Sequence, residues 1–217
     1  GLVIGGITMT GLAGKFAHVV YGITEAQMLP TLALTAVVTI VLGMGMPTPS
    51  AYILAAALMA PILTKLGIST MGAHMFVLYY AVMSARTPPV AVAAYAASSI
   101  AEDNPLYIAL LAVKFALAAF IIPFAFIFGP ELLMNGAPME ILVSLVTAVV
   151  GLIIIAAAAE GYFTEPLSAP VRLILVAAGL TLVAPNSIAS GIGIVLGSVT
   201  LGPAVYRKFI SRSSDLS

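Results

Sequence analysis

The chain has 217 residues, of which 62% are hydrophobic and 7% are charged, and its eight basic and eight acidic side chains give a formal net charge of zero. In soluble domains about a quarter of the residues are charged. The composition therefore excludes an ordinary soluble protein and predicts an all-α, polytopic helical membrane protein in a lipid bilayer. The balanced charge argues against a nucleic-acid partner, and the lack of cysteine excludes disulfides, thiolate catalysis and cysteine-based metal sites.

The first segment, residues 1–21, is long enough to cross a bilayer, which takes about 20 apolar residues. Its many glycines and Lys15 predict an irregular helix rather than a clean span. Neither a charged n-region nor a small-residue cleavage site marks this segment as a signal peptide. We therefore expect the chain to be the C-terminal part of a longer membrane protein.

Residues 29–66 predict a re-entrant hairpin. Its first arm, residues 29–44, is entirely apolar or small, and its second arm, residues 50–66, ends at Gly67, a typical helix stop. Neither arm has the length of a comfortable span. Two short helices that enter and leave the bilayer on the same side explain this pattern better than two full crossings.

Residues 71–100 predict a transmembrane helix that is interrupted in its middle. Ser69 or Thr70 is placed to cap its first half. The run Arg86-Thr87-Pro88-Pro89 then stops the helical hydrogen bonding, because proline lacks an N–H and clashes with the preceding turn. The helix resumes at Val90.

Three further elements complete the chain. Residues 106–128 predict a span with a kink at Pro123, and residues 139–159 predict an uninterrupted span. Residues 171–184 and 188–206 predict two short helices around Pro185-Asn186-Ser187. We accordingly divide the chain into residues 1–133, the C-terminal half of a membrane domain, and residues 139–217, a transmembrane extension with a basic tail.

The two interruptions are the candidate binding site. Unwound backbone in lipid leaves carbonyl and amide groups whose burial is costly unless they bind something, and paired Gly/Pro interruptions are typical of ion and substrate sites in secondary transporters. The candidate residues are Gly43, Gly45, Met46, Pro47, Thr48 and Ser50 in the first break and Ser84, Arg86, Thr87 and Pro88 in the second. Gly45, Thr48 and Thr87 are the candidate Na⁺ ligands, through carbonyl or hydroxyl oxygens. The alternative is that both breaks are ordinary proline kinks.

Two ionisable residues lie in these elements. Arg86 is a candidate for substrate binding, because a guanidinium pairs bidentately with a carboxylate. Alternatively, Arg86 is a counter-ion to unwound carbonyls. His74 is a candidate protonatable coupling group, or it makes a hydrogen bond to a neighbouring helix.

Three motifs occur in order: Leu-Gly-Met-Gly-Met-Pro-Thr at residues 42–48, Ala-His-Met-Phe-Val at 73–77 and Thr-Pro-Pro-Val-Ala at 87–91. Together they resemble a tripartite ATP-independent periplasmic (TRAP) transporter. More narrowly, they resemble the large membrane subunit in the fused 4TM/12TM form associated with TAXI-type binding proteins. The similarity covers about residues 1–133 and continues more weakly from Met139.

The resemblance implies that the first break is the tip of a second re-entrant hairpin and that the second break is the unwound loop of its partner helix. Together they would form half of a Na⁺ and substrate site in a mobile, elevator-like transport domain of the bacterial inner membrane. It also implies import of small organic acids, such as carboxylates, that a periplasmic binding protein delivers. The first hairpin and its repeat would lie in an N-terminal half outside this chain, which alone would not transport.

Arg86 departs from the family pattern, in which the residue before Thr-Pro-Pro is usually apolar. The departure suggests a different substrate charge or coupling ion. No cofactor is expected other than Na⁺ as the coupling ion.

Three alternatives to the Na⁺-coupled transporter remain. An H⁺-coupled carboxylate or ion transporter of another family is favoured only by His74. An intramembrane enzyme would show a catalytic constellation, and the sequence has no HExxH, no GxSxG and no phosphate-cradling glycine loop. A purely structural membrane subunit does not explain two costly interruptions.

Overall fold

The computed structural model describes residues 2–184, 189–200 and 202, and those residues form helices with no β-strand among them, apart from one isolated bridge between Tyr162 and Pro166. The predicted all-α fold is therefore confirmed. The predicted break at 185–187 and the basic tail of Arg207, Lys208 and Arg212 lie outside the described residues.

The chain forms two compact units, residues 1–113 and 114–217. The predicted division into 1–133 and 139–217 concerns transporter domains rather than compactness, and it stays a prediction. The helices of the first unit are α1 (Leu2–Met9), α2 (Leu12–Thr24), α3 (Met28–Gly43), α4 (Thr48–Lys65), α5 (Thr70–Met83), α6 (Val92–Ala101) and most of α7 (Pro105–Phe115).

The irregular helix expected over residues 1–21 is two helices, α1 and α2. They are separated at Thr10 and Gly11, and Gly11 adopts a left-handed φ of 63° that a residue with a side chain rarely takes. Further along, the Tyr21 hydroxyl donates to the Ile62 carbonyl at 2.7 Å. This bond joins α2 to the last turn of α4, where carbonyls lack partners within their own helix.

The predicted hairpin is present as α3 and α4, joined by residues 44–47, and α5 packs against both helices. Ala51 and Ala55 on α4 are fully buried and leave room for close helix packing. Of the two candidate caps for α5, the structure uses Ser69, whose hydroxyl accepts a hydrogen bond from the Gly72 amide at 3.1 Å. The predicted interruption separates α5 from α6.

The segment predicted as one span over 106–128 is two helices, α7 and α8 (Leu117–Phe128). The interruption falls at Ala116, with φ −89° and ψ 3°, and not at Pro123, through which α8 continues. Proline removes a single helical hydrogen bond, and α8 keeps its other bonds around that position.

The second unit contains α8, a 3-10 turn (Pro130–Leu133), α9 (Pro138–Glu160), α10 (Ala169–Val183) and α11 (Ala189–Thr200). Among the described residues, α9 is the one helix that is long and apolar enough to cross a membrane by itself. A second candidate arises if α7 and α8 count as one bent span. The segment predicted as an uninterrupted span over 139–159 is a single unbroken helix, α9, and its crossing of the membrane stays a prediction.

Glycines set the distance between α9 and α10. A β-carbon placed on Gly151 would lie 2.8 Å from the Gly179 carbonyl oxygen, and one on Gly179 would lie 2.7 Å from the Gly151 carbonyl oxygen. Arg172 on α10 joins the two helices at the C-terminal end of α9, where it donates hydrogen bonds to the carbonyls of Ala158 and Ala159 at 2.7 and 3.0 Å. A cation at a helix C-terminus also interacts favourably with the helix dipole.

Replacing Gly179 by alanine should lower the free energy of unfolding by about 1–3 kcal/mol, because the added carbon would collide with Ile155 and with the backbone of Gly151. The measurement is the thermal unfolding midpoint of the purified protein in detergent. Gly191→Ala in α11 is the matched control, since nothing lies within 4 Å of its added carbon. Equal midpoints for the two variants would contradict the close packing of α9 and α10.

Candidate functional site

The two predicted breaks are in contact. Gly43 is the last residue of α3, and Ser84 directly follows α5. A β-carbon placed on Gly43 would lie 2.5 Å from Ser84 Oγ and 2.8 Å from Ser84 Cβ. A second contact joins the breaks at Gly45, where a β-carbon would lie 3.6 Å from Val90 Cγ1. The hairpin tip therefore lies against the interruption between α5 and α6.

The first break is a short turn that keeps several backbone groups outside helical bonding. The Met46 amide donates to the Gly43 carbonyl at 3.2 Å, and Gly45 takes a left-handed φ of 75° that suits glycine. No backbone amide among the described residues donates to the carbonyl of Gly45 or Met46. The carbonyls of Gly45 and Met46 are thus available as acceptors in this part of the chain.

The second break uses its hydroxyl groups as donors. Ser84 Oγ donates to the Ala81 carbonyl at 2.7 Å, and Thr87 Oγ1 donates to the Met83 carbonyl at 2.9 Å. A hydroxyl that has given its proton to a carbonyl still has two lone pairs. Both oxygens are therefore left as acceptors, the state in which a hydroxyl coordinates a cation.

Burial differs among the predicted site residues. Gly43 and Ser84 are buried where the breaks meet, whereas Arg86 and Ser50 are exposed. Four of the remaining candidates are half-buried, namely Met46, Thr48, Thr87 and Pro88. The other two, Gly45 and Pro47, are exposed. The contacts described above join Gly43 and Gly45 to the second break. No hydrogen bond among the described residues joins Thr48 or Ser50 to it.

The two ionisable candidates have different surroundings. No acidic side chain in the described part of the chain forms an ion pair with exposed Arg86. His74 Nδ1 lies 2.8 Å from the Tyr52 hydroxyl, and the two rings meet edge to face with centroids 6.1 Å apart. His74 thus joins α5 to α4 by a side-chain hydrogen bond.

A row of threonines on α3, which was not predicted from the sequence, leads to Gly43 at the candidate site. The threonine row consists of Thr31, Thr35 and Thr39, each fully buried, at a four-residue spacing that continues to Gly43. Thr31 Oγ1 is within 2.7 Å of the Gln27 carbonyl and 2.9 Å of Thr24 Oγ1. The spacing was visible in the sequence as one face of a helix, but the sequence did not show that this face is buried.

Thr35 Oγ1 and Thr39 Oγ1 have no hydrogen-bond partner within the described residues. A buried polar group left unpaired costs about 1–3 kcal/mol. The described residues also contain no group of three or more His, Asp or Glu side chains that could hold a metal ion. A cation in this region would therefore depend on hydroxyl and carbonyl oxygens.

Comparison with known proteins gives one match. Residues 1–141 match the family described as "Tripartite ATP-independent periplasmic transporter, DctM component". No curated protein and no solved structure matches the chain. The family match spans more than half of the chain and includes α1 to α8, with both breaks.

Gly43→Ala should push the hairpin tip away from Ser84 and lower the free energy of unfolding by about 1–3 kcal/mol. Adding Ser84→Gly removes both close atoms and leaves Ala51 Cβ, at 3.3 Å, as the nearest neighbour. The double variant should therefore recover part of the loss. Thermal unfolding of the purified protein measures both effects.

Gly22→Ala in α2 is the control for this pair, because nothing lies within 4 Å of its added carbon. It should unfold like the unchanged protein. A Gly43→Ala variant as stable as Gly22→Ala, or a double variant less stable than Gly43→Ala alone, would contradict the direct contact between the breaks.

Proposed function

The chain belongs to the family of DctM components of tripartite ATP-independent periplasmic transporters, and we propose that it carries half of the ion and substrate site of a Na⁺-coupled secondary transporter. Membership makes it a membrane transporter component and not an enzyme. The Na⁺ coupling, the substrate class and the roles of individual residues are the content of the proposal.

The contact between Gly43 and Ser84 is the observation that supports a cation site. It brings together the C-terminal ends of α3 and α5. Each helix C-terminus carries roughly half a negative charge from its unsatisfied carbonyls. Two such ends favour a cation close to their contact, where the oxygens of Ser84 and Thr87 and the carbonyls of Gly45 and Met46 are acceptors.

We assign Gly45, Thr48 and Thr87 as Na⁺ ligands within this region. The Gly45 carbonyl has no backbone amide donor in the described residues, and Thr87 Oγ1 keeps its lone pairs after donating to Met83. Thr48 is the first residue of α4 and lies at the end of the same turn. Half-helix ends and unwound carbonyls are the usual ligands of Na⁺ in broken-helix transporters.

An anionic substrate fits the positive groups near the same breaks. The N-termini of α4 and α6 present amide groups and a partial positive charge, and Arg86 is exposed without an ion-pair partner among the described residues. A small organic acid would bind its carboxylate there. We propose Arg86 as the group that distinguishes the substrate of this transporter from those of relatives with an apolar residue at that position.

The wider assembly follows from the resemblance. We propose that a periplasmic binding protein delivers the acid, that the transporter is a multi-pass protein of the bacterial inner membrane, and that it is the fused, TAXI-type form. A first hairpin in an N-terminal half would complete the site. The hairpin α3–α4 would then be re-entrant and move with the transport domain.

Proton coupling is the second candidate, and the hydrogen bond between His74 and Tyr52 is the observation that favours it. An imidazole between α4 and α5 is a candidate carrier of a coupling proton. Its protonation would alter the bond that holds α4 to α5. The same experiment separates the two coupling ions.

The test is uptake of radiolabelled organic acids by the assembled transporter with its binding protein in proteoliposomes. We expect uptake to require an inward Na⁺ gradient, and a pH gradient alone not to support it. Thr48→Ala/Thr87→Ala should raise the half-saturating Na⁺ concentration at least about tenfold, which corresponds to about 1.4 kcal/mol of lost binding.

Thr64→Ala is the matched control, since Thr64 Oγ1 also donates to a backbone carbonyl, that of Pro61. It lies at the far end of α4, about 24 Å from Thr48 along the helix, and its Na⁺ dependence should be unchanged. Uptake driven by a pH gradient alone, and lost in His74→Gln, would replace Na⁺ coupling by proton coupling. Unchanged Na⁺ dependence in the double variant would refute the assigned ligands.

A further inference from the structure

We propose that Thr35 and Thr39 form an accessory binding position for a monovalent cation. The position lies on the buried face of α3, about one and two helical turns before Gly43. The inference rests on the proposed cation-coupled function and extends it to a second position. It depends on the burial of two hydroxyl groups, their lack of partners and their place on α3.

The two hydroxyls are unusual for a buried helix face. Both residues are 0% exposed, and neither hydroxyl has a hydrogen-bond partner within the described residues. A buried threonine in a helix commonly bonds the carbonyl four residues earlier, as Thr31 does with Gln27 and Thr24 with Val20. Thr35 and Thr39 therefore keep both proton and lone pairs available to a ligand.

Their position connects them with the proposed ion site. Four residues of helix correspond to a rise of about 6 Å, so Thr35, Thr39 and Gly43 follow one another along one face at that interval. Gly43 in turn contacts Ser84. The hydroxyls thus lead in steps of one helical turn to the point at which the breaks meet.

The surrounding charge selects the kind of ligand. Among the described residues of the first unit no charged side chain is buried, and the buried polar side chains are four threonines and Ser84. Divalent cations require several carboxylate or other strong oxygen ligands, which this region does not offer. Thr39 lies four residues before the end of α3, where the negative end of the helix dipole favours positive over negative charge. A monovalent cation such as Na⁺ fits a region that favours positive charge but has no carboxylate ligand.

The test compares Thr35→Val/Thr39→Val with Thr35→Ser/Thr39→Ser in the assembled transporter. Valine keeps the shape and removes the oxygens, whereas serine keeps the oxygens. In proteoliposomes, the valine variant should raise the half-saturating Na⁺ concentration about tenfold and lower the Hill coefficient for Na⁺, and the serine variant should restore both values. Thr31→Val is the control, because the Thr31 hydroxyl is already hydrogen bonded, and it should leave both values unchanged.

A second measurement does not depend on transport. The thermal unfolding midpoint of the detergent-purified transporter is recorded with increasing NaCl against choline chloride at equal ionic strength. The valine variants, single or double, should lose part of the Na⁺-dependent rise. If every valine variant kept the full Na⁺-dependent rise in its unfolding midpoint, the proposal would be overturned. The two hydroxyls would then be explained by hydrogen bonds to an ordered water.

The measurements distinguish failure of the Na⁺-coupling proposal from failure of the accessory cation position. If the unchanged transporter shows no Na⁺-dependent uptake but the valine variants still lose the Na⁺-dependent thermal shift, the coupling proposal fails and the cation position stands. If uptake requires Na⁺ and the valine variants match the unchanged protein in both measurements, only the accessory position fails.

Discussion

The contact between Gly43 and Ser84 is the constraint on which the candidate site depends. It exists because glycine has no β-carbon, and any larger residue would collide with a serine that is itself buried. The contact joins the end of α3 to the end of α5 at the points where both helices stop. As a result, backbone carbonyls without an amide donor among the described residues and hydroxyl oxygens that still have lone pairs come from two separate segments of the chain and share one small region.

Glycine serves the two units differently. In the second unit, Gly151 and Gly179 let two continuous helices approach until each backbone nearly touches the other. Tight packing of this kind holds membrane helices together where lipid removes the hydrophobic driving force. In the first unit the close approach lies at helix ends, so it gathers polar groups instead of hiding them. The same small residue thus supports a closely packed helix pair in one unit and a candidate binding site in the other.

Buried side-chain polarity among the described residues of the first unit is confined to neutral hydroxyl groups. Its buried polar side chains are threonines and Ser84, and the exposed Arg86 lies in the second break. Helix C-termini at the Gly43–Ser84 contact favour a cation, whereas the N-termini of α4 and α6 with Arg86 favour an anion. Membership of the DctM family agrees with a membrane transporter component, and this separation of partial charges is the physical basis for proposing that a cation and an organic acid bind together.

Composition, length and the positions of glycine and proline were enough to predict the all-α class, the pair of helices α3 and α4, the break between α5 and α6 and the unbroken helix α9, because these features follow from local backbone chemistry. They were not enough to place the interruption of the 106–128 segment, which occurs at Ala116 although Pro123 carries the stronger local signal. Nor did they reveal that Thr35 and Thr39 are buried without partners. A four-residue spacing shows that side chains share a helix face, but only packing against other helices decides which face is buried. The contact between the breaks likewise depends on residues about forty positions apart, so it was decided by the tertiary structure.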